Sequence, residues 1–375
     1  MNKRVIYSVL GVIIIIFVAV LISRPGVSTG NIRIAFIGPL TGDGAAWGEI
    51  EKNTIQLAVD EVNSAGGIKG RLIEVTYEDG KCDGANALSA AKKLVEVDHI
   101  KILLVSCSQE IVPIGPYAES QHVIALTSYA SASNITNLGK YIFRNSYTNR
   151  DMAKSMTTVA IEKGKSAAII SEQSAFATDL RDIFISDFEK AGGKILASEN
   201  YDQGGRDFRT QATKIVSLNP SVVVINPNGP DSGIAAMKQL RQLGYKGPFV
   251  GNFFGGSLSV QKTSEAQGMI YVSDPVFSES PLKQKVFSAY EQKYGMAPDL
   301  PWPVGARYDA IKILAQAFES VGDDSTAVMN YLHHMPTDYT GILGTYRFNE
   351  NDADITNVHP SLAEIQNNKS VLLKQ

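Results

Sequence analysis

Ser221-Val222-Val223-Val224-Ile225 decides how this chain folds. Four consecutive β-branched apolar residues leave no polar face for water. A strand with one wet side alternates; this one does not, so both of its faces are covered. That is the signature of a parallel strand lying between two layers of helix. The residues before it, 208–218, have the apolar spacing of a helix, and so do residues 231–243 after it. A doubly buried strand between two helices is the core of a βαβ series.

The same rhythm extends in both directions. Downstream, strands are expected at 248–251 and 269–273, with a short helix over 258–266. Upstream, helices at 151–163 and 178–191 lead into strands at 166–170 and 194–199. An earlier series places strands at 32–38, 72–77, 101–105, 123–127 and 141–144, and helices at 47–62, 85–97 and 111–120. Gly66-Gly67 closes the first of these helices, as glycine does where a left-handed residue ends one. Asp83 is placed to cap the second. After Pro275 the rhythm breaks into helical stretches at 282–294, 304–321 and 326–334, a strand-like run over 341–348, and a further strand within 355–373. The expected fold class is α/β, with two doubly wound parallel-sheet lobes. Ligands of such sheets sit beyond the carboxyl ends of the strands, so two lobes facing each other would share one site at their junction.

Composition excludes several other classes. Of 375 residues 44% are hydrophobic and the net charge is -3, which is too apolar and too nearly neutral for a disordered chain. No basic excess is present to answer the phosphates of a nucleic acid. Two cysteines cannot hold a disulfide scaffold of this length together.

The first thirty residues read as a targeting segment. Lys3 and Arg4 precede an uncharged run over 5–22, and Arg24-Pro25 stops it. This is either a signal peptide, with Ser28-Thr29-Gly30 offering small residues for cleavage, or a retained N-terminal membrane anchor. In both cases the basic start stays in the cytoplasm. The remainder is expected in the periplasm or on the outer face of the cytoplasmic membrane.

Signs of catalysis or metal binding are absent from the sequence. The histidines His99, His122, His333, His334 and His359 do not fall at ligand spacing, and there is no HExxH, CxxC, Walker or GxSxG motif. No catalytic residue, metal or cofactor is therefore expected. Cys82 follows the strand at 72–77 and Cys107 follows the strand at 101–105, so their loops share one end of the first sheet. In an oxidising compartment that arrangement favours a Cys82–Cys107 disulfide over two separate buried thiols.

An ordered series of motifs then carries a family resemblance. It runs from Ile37-Gly38-Pro39-Leu40-Thr41-Gly42 with Trp47-Gly48, through Asp60-Glu61-Val62-Asn63 and Gly66-Gly67-Ile68-Lys69-Gly70, to Tyr77-Glu78-Asp79, Cys82-Asp83 and Cys107-Ser108. Gly341-Ile342-Leu343-Gly344 with Tyr346, Phe348 and Asp352 completes it. The chain resembles the periplasmic leucine/isoleucine/valine-binding proteins, the solute receptors of branched-chain amino-acid type ABC importers. The resemblance implies a type I periplasmic binding fold, with lobe 1 at 31–147 plus 276–337, lobe 2 at 148–275 plus 338–375, and three hinge crossings. It implies a small-molecule solute, an ABC permease as the membrane partner, and a monomer.

The resemblance also implies a site. Ser108 and Ser131, the latter in Ser128-Tyr129-Ala130-Ser131, match hydroxyls that hold the solute's carboxylate, and Trp47 matches an aromatic cover, with Tyr129 beside them. The second lobe departs from the family. Asn252-Phe253-Phe254 stands where amino-acid receptors carry an acid for the solute's ammonium, and Phe176 and Asn228 stand at tyrosine positions. A buried ammonium without a counter-charge costs several kcal/mol. The expected solute is therefore an aromatic or branched carboxylate, not an ordinary α-amino acid, or else an amide. A membrane-anchored sensory module of the same fold is the alternative reading.

Overall fold

The structure is a computed structural model in which residues 30–273 and 280–373 are described. The apolar runs of the N-terminal half form β1 (Ile32–Gly38), β2 (Ile73–Asp79), β3 (Ile102–Val105), β4 (Ile124–Thr127) and β5 (Ile142–Arg144), all parallel, in the order β2-β1-β3-β4-β5. The second sheet takes β6 (Ser166–Glu172), β7 (Lys194–Tyr201), β8 (Val222–Asn226), β9 (Phe249–Gly251) and β10 (Ile270–Ser273) in parallel. Every residue of β8 is buried, as its sequence requires of a strand flanked by β6 and β9. The tail adds β13 (Ser361–Gln366) and β14 (Lys369–Leu372) antiparallel at the β10 edge. Two lobes of parallel-sheet α/β structure result, as expected.

Helix Ala45–Ser64 packs along helix Pro301–Val321, so the helices after the second sheet belong to the first lobe. The chain thus leaves the first lobe after β5, and helix Pro281–Tyr294 is again packed on the first lobe; residues 274–279 lie outside the described residues. It leaves again before β13. No helix among the described residues is long and apolar enough to cross a membrane. The expected signal or anchor, and its apolar run over 5–22, lie outside them.

The run over 341–348 is not one strand. It is a hairpin of β11 (Tyr339–Gly341) and β12 (Gly344–Tyr346), turned at Ile342 and Leu343. The cause is Asp309 on helix Pro301–Val321, whose carboxyl oxygens accept the Ile342 and Leu343 N–H groups, each at 2.8 Å. These bonds tie the hairpin to the first lobe. Ala353 is tied there as well, donating to Thr136 O at 3.1 Å and accepting from Arg144 N at 2.7 Å.

Two buried carboxyls give the fold a pH dependence. Burial pushes Asp309 up to about 7, against the pull of its two backbone N–H bonds. Burial likewise pushes Glu110 up to about 8. Each group keeps its proton in the folded state at pH values where the unfolded chain has lost it. Their stabilisation is thus complete below the unfolded carboxylate range and is lost as pH rises through 7 to 8. Urea unfolding should show stability falling by roughly 1–3 kcal/mol between pH 5 and pH 8.5, less steeply in Asp309→Asn. A stability that rises over this range would contradict the assignment.

Candidate functional site

The carboxyl ends of β3 and β4 in one lobe, and of β6, β8 and β9 in the other, meet at the junction. Past β3 the chain runs through Ser106 to Cys107, which is extended (φ -86°, ψ 152°) and precedes helix Ser108–Ser120. This helix starts three residues earlier than its apolar spacing suggests. Glu110, in its first turn, accepts the Cys107 N–H at 2.9 Å and the Cys82 N–H at 3.0 Å, which fixes the start. The two cysteines form the expected disulfide, with Cα atoms 5.5 Å apart. Although Glu110 and both sulfurs lie within 4.8 Å of one another, disulfide sulfur is not the thiolate that a metal requires.

Ser108 Oγ accepts the N–H groups of Ser131 and Ala132, both at 3.2 Å, and keeps its own proton to donate. Beside it, the Gln109 amide has neither its nitrogen nor its oxygen hydrogen-bonded among the described residues, although both atoms are buried. Ser108 and Gln109 open this helix, at the end whose dipole favours an anion. Trp47 sits in the first turn of Ala45–Ser64, where Gly48 lets the helix pass Pro39. A Cβ at residue 48 would come within 1.9 Å of the Pro39 carbonyl oxygen.

In the second lobe a ladder of amides sets the loops. Asn252 Nδ2 donates to Asn226 Oδ1 and Pro227 O, both at 2.8 Å, and Asn226 Nδ2 donates to Ser171 Oγ at 2.9 Å and Ala177 O at 2.8 Å. Asn252 is consumed by this ladder, and Phe253 after it projects into the junction. There the aromatic rings form a chain across both lobes. Trp47 stacks on Tyr129 at 6.1 Å, Tyr129 meets Phe253 edge-on at 5.2 Å, and Phe253 meets Phe176 at 5.2 Å.

Of the expected site residues, Ser108, Tyr129, Phe176, Asn228 and Phe253 line one cavity together with Cys107 and Gln109. None of these side chains carries a charge. The cavity is only about 10 Å³, room for roughly one water, because the rings fill the junction. Trp47 and Asn228 face an adjoining compartment of about 80 Å³, which Glu172 also lines. Ser131 is not in either. Its Oγ donates to Asn149 Oδ1 at 2.7 Å, across the first crossing between lobes. Ser133 reaches across beside it, bonding the Asp179 carboxylate through N at 2.8 Å and Oγ at 2.6 Å.

Sequence reasoning missed Gln109 and Glu172. Gln109 had a signal, since it follows Ser108 directly at a helix start. Glu172 is the last residue of β6 and therefore points at the ligand end of a parallel sheet. It is 2% exposed, and its Oε2 accepts the Asn228 N–H at 3.3 Å.

Comparison with known proteins agrees with the two-lobed fold. The family model described as periplasmic binding protein matches residues 31–367. The Leu/Ile/Val-binding protein homolog 3 of Brucella melitensis is 26% identical over 331 residues, covering 85% of this chain and 88% of that protein. The branched-chain amino acid transporter substrate binding protein of Streptococcus pneumoniae, solved with isoleucine, has a TM-score of 0.80 at 23% identity, covering 92% of this chain and all of that one (100%). A solute binding protein of an R. palustris ABC transporter, solved with benzoate, has a TM-score of 0.80 at 19% identity, covering 92% and 96%. With nearly its whole described length matched, the chain belongs to the periplasmic binding protein family.

Proposed function

We propose that this chain is the extracytoplasmic receptor of an ABC importer and closes on a small carboxylate with an aromatic or branched body, or on the matching amide. The observation that carries the reading is the uncharged cavity shared by both lobes. At one end lie the Ser108 hydroxyl, the unbonded Gln109 amide and a helix N-terminus; at the other lie the Phe176 and Phe253 rings. Converging neutral donors hold a carboxylate well in a dry site, and the rings take up an apolar body. No acid lines this cavity to meet an α-ammonium. The benzoate-bound neighbour is consistent with a solute of this size and charge, whereas the Leu/Ile/Val-binding relatives are named for α-amino acids, which the screen below separates from it.

Closure is a hinge motion in which the ligand contributes free energy by touching both lobes only when they are shut. One copy of the chain suffices, the permease receives the solute, and residues 1–30 direct export. A thermal-shift screen followed by calorimetry tests the solute class. Benzoate and 4-methylpentanoate, or their amides, should stabilise the protein, by about 2.7 kcal/mol at 100 times the dissociation constant. Leucine and phenylalanine should not. Micromolar leucine binding with every acid and amide silent would overturn the reading.

A further inference from the structure

The compartment beside the aromatic cavity has a hydrogen-bonding character of its own. Ala46 and Trp47 line it from the first lobe, and Glu172, Arg206, Asn228 and Asp231 from the second, so it too exists only between closed lobes. Two of its side chains are more than nine-tenths buried and hold an N–H with no partner among the described residues. These are Trp47 Nε1, on a residue 3% exposed, and Asn228 Nδ2, on a residue 6% exposed. Glu172 supplies a buried carboxylate on the same wall. Arg206 and Asp231 satisfy each other, with Nη2 to Oδ2 at 3.5 Å, and leave no net charge at the rim.

The inventory of donors and acceptors restricts what fits. An ammonium only donates, so it would leave both N–H groups buried and unpaired. A second carboxylate only accepts, and would be repelled by Glu172. A hydroxyl accepts on two lone pairs and donates one proton, which complements two N–H donors and one carboxylate. We propose that this compartment reads a hydroxyl at the far end of the solute, so that the solute is a hydroxylated carboxylate held by its acid at Ser108 and Gln109 and by its hydroxyl at Trp47, Asn228 and Glu172. This rests on the carboxylate reading of the neighbouring cavity. Asn228 lines both spaces and marks where the body of the solute passes from one to the other.

Calorimetry with benzoate, 3-hydroxybenzoate, 4-hydroxybenzoate and 4-methoxybenzoate tests it on the wild-type chain and on Trp47→Phe and Glu172→Gln. At least one hydroxybenzoate should bind about tenfold or more tighter than benzoate, because a site built around a hydroxyl rejects the analogue lacking it. The methoxy acid, which cannot donate, should lose that advantage. Trp47→Phe and Glu172→Gln should each narrow the ratio of hydroxybenzoate to benzoate affinity, and circular dichroism with urea unfolding checks that each variant is folded. Equal affinities across the series would overturn the hydroxyl subsite and leave the carboxylate cavity standing. A series in which no acid binds would overturn both.

Discussion

Arg307→Leu should lower the free energy of unfolding by about 3–5 kcal/mol, because it strands a buried acid. Arg307 and Glu51 are both fully buried, 0% exposed, on the two helices that pack together in the first lobe. Arg307 Nη2 donates to Glu51 Oε2 at 3.2 Å and to the Val105 carbonyl at 2.7 Å, at the end of β3. Its guanidinium lies 5.3 Å from the centre of the Phe36 ring. Burial pushes the Glu51 carboxyl up and the Arg307 guanidinium down, and the charge of each opposes the shift of the other. Without Arg307, Glu51 is left in an apolar interior and Val105 O loses a donor. The double variant Arg307→Leu/Glu51→Leu should recover much of the loss, since apolar side chains of similar volume often replace a buried pair without cost. Urea denaturation measures both. A single-variant loss below about 1 kcal/mol would show that the pair does not hold the helices to the sheet.

Cys82→Ala/Cys107→Ala should cost roughly 3–4 kcal/mol, the loop-closure entropy of a link between residues so far apart. The separation is 25 residues. The consequence for binding is of equal interest. Cys107 precedes Ser108 and Gln109, and both cysteine N–H groups converge on the Glu110 carboxyl. Loosening this corner frees the start of the helix that lines the proposed cavity, so affinity should fall with stability. The check is a pair of urea curves with and without reductant, with thiol titration confirming that the bond has opened. Coincident midpoints after full reduction would show that the link is idle.

Much of this architecture is visible in the sequence because it depends on local periodicity. Ser221 to Ile225 could not form a half-wet strand, and Gly66 and Gly67, at φ 105° and 69°, do end the first helix. The cysteine pairing followed from the two loops sharing one end of a sheet. What the sequence hid depends on contacts between distant residues. The hairpin at 339–346 exists because Asp309 captures its turn, and no spacing near residue 341 announces a carboxyl on another helix. Ser131 matches a ligand hydroxyl by its sequence, and its bond to Asn149 across the crossing depends on a residue eighteen positions away that no local pattern announces. Gln109 and Glu172 gave only positional hints, because neither a free amide nor a buried acid can be recognised before its surroundings are known.

The measurement closest to the central claim is a titration of the best-binding acid into two variants, one from each lobe. On the proposed reading, Gln109→Ala removes a neutral donor to the carboxylate, and Phe253→Ala removes the wall opposite. Each is expected to weaken binding by about tenfold or more, with urea midpoints near that of the parent protein. Unchanged affinity in either variant would mean that the solute is not gripped between the lobes at this cavity.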